Sequence, residues 1–324
     1  MKRIGAIVLA VLALVLAGAW ATRPTPLQAP DIPLTLAADP DTHLQLGEAR
    51  ARERYGLVDG SEKRITWAGA VGARSEYAVV YLHGFSATRQ EIAPVPANVA
   101  ELLGANLFET RLAGHGRLRE RLENVAAEDW LDDGVEALAV GRQLGDRLIV
   151  IGVSTGATLA LTLAEHPDFR AVDTLVLMSP NWAPAAGGAG MATGPFGPQL
   201  MRLFAGAEHR WTAANELQEK YWTTRYPTEA IIEMMRLVDL ANATTEHATA
   251  PRALLIYSPQ DDVVSVQKLQ EGFERLPARR KGVVTMDKPR SLSPHVFTGD
   301  VLGPEEVAPT VEAIVGFLRE TGAP

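Results

Sequence analysis

The chain has 324 residues, 47% of them hydrophobic and 22% charged, so a sizeable core is available and global disorder is excluded. Its 31 basic and 39 acidic side chains give a formal charge of -8, which argues against nucleic acid as the main partner, because phosphate binding needs a basic surface. With no cysteine, disulfides, thiolate metal sites and a cysteine nucleophile are all excluded.

Lys2 and Arg3 precede an apolar run over 4–21 that ends in Ala19-Trp20-Ala21. Basic start, apolar middle and small-residue site read as an export signal over 1–21, either cleaved or kept as a membrane anchor. Pro24, Pro26, Pro30, Pro33 and Pro40 follow. That density suits neither helix interior nor central strand, so 22–42 reads as an extended tether. The folded domain is then expected over 43–324.

Short apolar runs rich in Val, Ile and Leu recur at 77–82, 148–153, 174–178, 253–257 and 282–286. They do not alternate, which suits strands covered on both faces of a parallel sheet. Weaker strand signals lie at 106–109 and at 64–67, the latter as an early edge. Helical spacing joins Leu131, Val135 and Leu138 over 127–143, and a second helix is expected at 155–165, before Pro167. A third is expected at 307–319, where Val311, Ile314, Val315 and Leu318 share a face. Strand–helix alternation implies βαβ units with right-handed crossovers. Residues from 182 to about 250 interrupt the rhythm with no good strand. They read as a helical cap insertion carrying Phe204, Trp211, Tyr221, Trp222, Met234 and Met235.

The chemistry-bearing signal is Gly152-Val153-Ser154-Thr155-Gly156, entered from an apolar strand and followed at once by a helix. That context defines a nucleophile elbow, in which a sharp turn lifts the serine above the sheet and the flanking glycines avoid clashes. Serine needs a base to take its proton. In this arrangement the acid and then the histidine follow the serine in chain order. His166 closes the next helix, roughly 18 Å along it, and His209 and His247 fall in the cap. His295, in the loop after the last strand, is left as the base. Asp261 and Asp262 both follow the preceding strand, and spacing does not choose between them. An oxyanion site would take the amide of Thr155 and a second amide from the loop His83-Gly84-Phe85-Ser86. His83 itself suits a structural hydrogen bond better than catalysis.

Four segments in order, 83–85, 152–156, Gln260-Asp261-Asp262-Val263-Val264 and Ser293-Pro294-His295-Val296, resemble the α/β-hydrolase superfamily. Arg111-Leu112-Ala113-Gly114-His115-Gly116 resembles a turn of the same family. The likeness covers about residues 75–320 and is nearest to monoacylglycerol lipases, lysophospholipases and small carboxylesterases. It departs at Ser258-Pro259-Gln260, where the family often has a glycine. The resemblance implies an α/β-hydrolase fold, a mostly parallel sheet flanked by helices with a helical cap. It implies a Ser154–His295–Asp261 triad, Asp261 being the acid that precedes x-Val-Val, and oxyanion amides from Phe85 and Thr155. The activity implied is cleavage of carboxylic esters through an acyl-enzyme, without metal or organic cofactor. The apolar cap favours a lipophilic small-molecule ester as partner, with membrane association through the N-terminal segment. Rival expectations are a lysophospholipase, thioesterase, amidase or carbon–carbon hydrolase within the fold, and a catalytically silent, membrane-tethered ligand-binding protein outside it.

Overall fold

A computed structural model describes residues 2–31, 33–36 and 38–322. The apolar N-terminus is a helix, α1 (Lys2–Ala21), followed by extended chain and a second helix, α2 (Pro40–Tyr55). The core alternates strand and helix as β1 (Arg64–Thr66), β2 (Ser75–Leu82), α3 (Val95–Leu103), β3 (Asn106–Glu109), α4 (Ala127–Leu144), β4 (Gly145–Val153), α5 (Thr155–Thr162) and β5 (Val172–Met178). The intervening segment holds α6 (Gly197–Ala205), β6 (Glu208–Arg210), α7 (Glu216–Tyr221), β7 (Arg225–Pro227) and α8 (Thr228–Thr244). The chain returns through β8 (Arg252–Tyr257), α9 (Val266–Arg275), β9 (Arg280–Thr285) and α10 (Val307–Glu320).

Seven strands form one sheet in the order β1-β3-β2-β4-β5-β8-β9. Only the β1–β3 pairing is antiparallel; the other neighbours run parallel. The continuous apolar runs explain why. Along β2, Ala78, Val80 and Leu82 enter one core with α4 and α5, while Tyr77, Val79 and Tyr81 enter the other with α3 and α10. Both faces are covered, so neither position can be polar, and each fully buried aliphatic side chain contributes about 1.5–3 kcal/mol. The edge strand β9 alternates exposed and half-buried positions instead.

Three local features differ from the sequence reading. The helix α2 begins inside the proline-rich segment: Asp39 caps it, accepting from the Thr42 amide at 3.0 Å, and Pro40 occupies its first turn. Only Leu44 of α2 is buried, so the helix lacks an apolar stripe. Polar contacts hold it instead, through a hydrogen bond between His43 and Glu136 (2.9 Å) and an ion pair between Arg111 and Glu48 (2.7 Å). The intervening segment, expected to lack strands, contains the small antiparallel hairpin β6–β7. The helix after the elbow is shorter than expected, because His166 caps a separate 3-10 turn over Pro167–Ala171.

The proline-rich segment is also packed. Leu27 is buried in the core, and Arg236 of α8 donates to the Thr25 carbonyl at 2.9 Å. By contrast α1 leaves Ile4, Ile7, Leu9, Leu12, Leu14 and Leu16 exposed. A chain shortened to begin at Thr22 is therefore expected to keep the stability of the full chain. One shortened to begin at Pro40 should lose about 2–3 kcal/mol, from Leu27 and the Arg236 bond. Denaturant titration of both measures the difference.

Candidate active site

The elbow forms where β4 turns into α5. Ser154 has φ 49° and ψ -115°, a left-handed φ that costs a non-glycine residue energy and persists only where the surroundings enforce it. Two contacts enforce it. A Cβ on Gly152 would stand 2.6 Å from the backbone of Ala157, and one on Gly156 only 2.1 Å from the Leu82 carbonyl oxygen. The first turn of α5 thus lies directly against the end of β2. The Ser154 amide donates to the Met178 carbonyl at 2.9 Å, which ties the elbow to β5 as well.

The loop after β8 carries the two adjacent acids, and the structure separates them. Asp261 has no exposed side-chain surface, and its Oδ2 lies 2.8 Å from His295 Nδ1. Its Oδ1 accepts from the amides of Val263 (2.9 Å) and Val264 (3.0 Å). Asp262 is exposed. Burial pushes the Asp261 carboxyl up, but the hydrogen bond and charge of His295, with the two amides, outweigh it and hold the carboxyl below its usual range. Nδ1 facing a carboxylate must carry the proton, which leaves Nε2 of His295 as an acceptor. The histidine loop is pinned by Ser179, whose hydroxyl donates to the His295 carbonyl at 3.0 Å.

The loop after β2 supplies the remaining elements. Gly84 N–H donates to Glu91 Oε2 at 2.7 Å, and Ser86 N–H donates to His115 Nε2 at 3.0 Å. Among the described residues no partner takes the Phe85 N–H between them. The Thr155 N–H, in the first turn of α5, is likewise unclaimed among them, as helix geometry leaves the first-turn donors without intrahelical partners. The Phe85 ring meets His115, Trp130 and Tyr226 edge-on. His83 is fully buried, accepts from the Leu112 amide at 3.0 Å, and is pushed down to about 4 by that burial, so it stays neutral and structural. His115 is pushed down by burial in the same way.

Phe85, Ser154 and His295 share one cavity of about 760 Å³. Its other walls come largely from the segment between β5 and β8, through Phe204, Trp211, Trp222, Met234 and Met235; Tyr221 packs elsewhere. Sequence reasoning did not single out Glu91 or Asn181, which also line it. Glu91 follows a loop with no periodic pattern, and nothing in the sequence marks it as buried. His115 was visible in the 111–116 turn, but its bond to Ser86 was not. Among the described residues no group of histidines and acids could hold a metal ion.

Residues 79–302 match the profile of the alpha/beta hydrolase family. The chain belongs to that family. It is 28% identical to a thermostable monoacylglycerol lipase of Bacillus sp. (strain H-257) over 251 residues, 76% of this chain and 92% of that one. Its fold is similar to that of a metagenome-derived lipolytic enzyme (TM-score 0.65, 19% identity, 82% of this chain and 99% of that one). A soluble variant of the Saccharomyces cerevisiae monoglyceride lipase shares it too (TM-score 0.60, 12% identity, 92% and 99%).

Burial pushes Glu91 up to about 7 from an ordinary 4.5, despite the bonds from Gly84 and Tyr81. Between these values the folded chain binds more protons at this carboxyl than the unfolded chain does. Glu91 therefore makes stability fall as pH rises through the window 4.5 to 7, by something on the order of 3 kcal/mol. Glu91→Gln is expected to remove that slope, so that it gains on the wild type as pH rises from 4.5 to 7. Urea unfolding across that range tests the sign.

Proposed function

We propose that the chain is a serine hydrolase that cleaves lipophilic carboxylic esters through an acyl-enzyme. The observation that carries this reading is the buried Asp261–His295 pair opening onto the cavity where Ser154 stands on its strained elbow. In this reading His295 Nε2 takes the Ser154 hydroxyl proton as Oγ attacks the ester carbonyl, and Asp261 stabilises the imidazolium that forms. The Phe85 and Thr155 amides, both unclaimed among the described residues, receive the charge that develops on the carbonyl oxygen. The imidazolium returns its proton to the leaving alcohol. Water then follows the same route, attacking the acyl-serine and releasing the carboxylic acid. No step calls on a metal or organic cofactor.

The substrate class rests on the cavity and on the relatives. An apolar, aromatic-walled space of about 760 Å³ accommodates an acyl chain and repels a charged metabolite. The similar Bacillus protein is a monoacylglycerol lipase, so monoacylglycerols are the esters to try first.

Among the described residues no helix is long and apolar enough to cross a membrane. Export directed by that segment stands as a proposal, supported by Lys2, Arg3 and the apolar run. Cell fractionation with mass determination of the product tests it.

Labelling by a fluorophosphonate probe tests the class of chemistry: modification of Ser154 is expected, and an unlabelled, folded protein would overturn the reading in favour of a silent binding protein. Ser154→Ala should fold normally and lose about four to six orders of magnitude in turnover of p-nitrophenyl esters. For the acid, Asp261→Asn should cost about ten-thousandfold, and Asp262→Asn far less because its carboxylate is exposed. The ratio of the two losses in kcat is the decisive measurement.

A further inference from the structure

Glu91 is a carboxyl inside the catalytic cavity that the proposed chemistry does not use. It is only 2% exposed. One of its oxygens, Oε2, accepts both the Gly84 N–H at 2.7 Å and the Tyr81 hydroxyl at 3.0 Å. The other, Oε1, would stand 2.6 Å from a Cβ built on Gly84, so the carboxyl lies flat against that residue. A buried carboxyl is expensive, and an alanine or glutamine could fill such a place at less cost. Its position on the residue immediately before Phe85 gives it something to do.

Resting on the serine hydrolase reading, we infer that Glu91 is a positioning residue for the oxyanion loop. Its carboxyl, steadied by Tyr81, holds the Gly84 amide so that the next amide, that of Phe85, stays aimed at the reacting carbonyl. His115 performs the matching task on the other side through Ser86. The two bonds bracket Phe85 N–H, so the loop enters the reaction already ordered and no reorganisation is needed as charge develops.

The same carboxyl carries a charge effect. Tyr81 on β2 and His295 on the loop after β9 are the titratable groups that act on it. Burial raises Tyr81 far above its ordinary value, so it stays a neutral donor. Burial likewise holds Glu91 near 7, which makes it neutral on the acid side of that value and anionic above it. The neutral form presents no charge to the developing oxyanion, and the anionic form opposes it. Turnover therefore falls as Glu91 ionises.

The experiment compares wild type, Glu91→Gln and Glu91→Ala in kcat and KM for a p-nitrophenyl ester from pH 5 to 9. It adds the inhibition constant of a trifluoromethyl ketone, which forms an anionic adduct on the serine. Glutamine keeps an acceptor for Gly84 and cannot ionise. It should hold kcat within about threefold of wild type at pH 6 and abolish the wild-type decline above pH 7. Alanine removes the acceptor. It should lower kcat about 10- to 100-fold with little change in KM, and weaken the trifluoromethyl ketone by a similar factor. Thermal unfolding establishes that each variant is folded; if the alanine variant is not, the glutamine pH profile and inhibition constant decide alone. A folded alanine variant with wild-type kcat, a glutamine variant as impaired as alanine, or an alkaline decline that survives in glutamine would each overturn the inference. Fluorophosphonate labelling of the wild type is run alongside: a labelled wild type with unaffected variants sinks only the role of Glu91, whereas an unlabelled wild type sinks the hydrolase reading.

Discussion

The close approach of α5 to the end of β2 is the constraint from which the rest of the site follows. Gly156 lies against the Leu82 carbonyl with no room for a methyl group. That contact sets the pitch of α5, forces Ser154 into a left-handed backbone conformation, and brings the loop after β2 beside the first amides of the helix. A looser contact would leave the serine in a relaxed turn and move the two unclaimed amides apart. The strain at Ser154 is met by the packing of the sheet, whose central strands are buried along nearly their whole length.

Around that contact the buried polar groups divide by charge. His83 and His115 are held neutral by burial and spend both ring nitrogens on loop backbone. Asp261 is kept anionic by three donors in spite of its burial. One fixed negative charge thus faces His295, whose Nε2 is left to accept a proton.

Strands with a continuous apolar run were legible in the sequence because burial on both faces leaves a mark that no other element of that length leaves. The short strand β3 matched its weak signal at 106–109. The helix α2 was missed for a physical reason: one buried leucine writes no helical period, and polar contacts from His43 and Glu48 to distant residues write nothing local at all. The β6–β7 hairpin escaped similarly, since each strand is only three residues long and β6 is wholly exposed. In the site, the elbow was readable because its glycines answer to local sterics. The choice between Asp261 and Asp262 came from the family likeness at x-Val-Val and not from spacing, because it depends on which side chain faces a loop 34 positions away. Glu91 and His115 hold backbone amides 7 and 29 positions distant, contacts that only the folded chain creates.

The cavity roof is fastened unevenly. Arg236 joins α8 to Glu128 of α4 and to the Thr25 carbonyl, while the Thr244 hydroxyl of the same helix donates to the Leu161 carbonyl near the end of α5. The β6–β7 hairpin and α7 are tied as well: Thr223 N–H donates to the Ser86 carbonyl at 2.7 Å, Asn215 donates to the Val301 carbonyl at 2.7 Å, and Tyr226 is buried against Phe85. By contrast α6 meets α8 through the exposed Arg202–Glu229 pair, which contributes little to rigidity. The roof is in effect a cantilever with a short overhang: α8 and the hairpin are clamped, and α6, with Leu203 and Phe204 exposed, is the free end. In the proposed reading, admission of a bulky substrate falls to deflection of α6, with the serine, its base and the floor of the cavity left undisturbed.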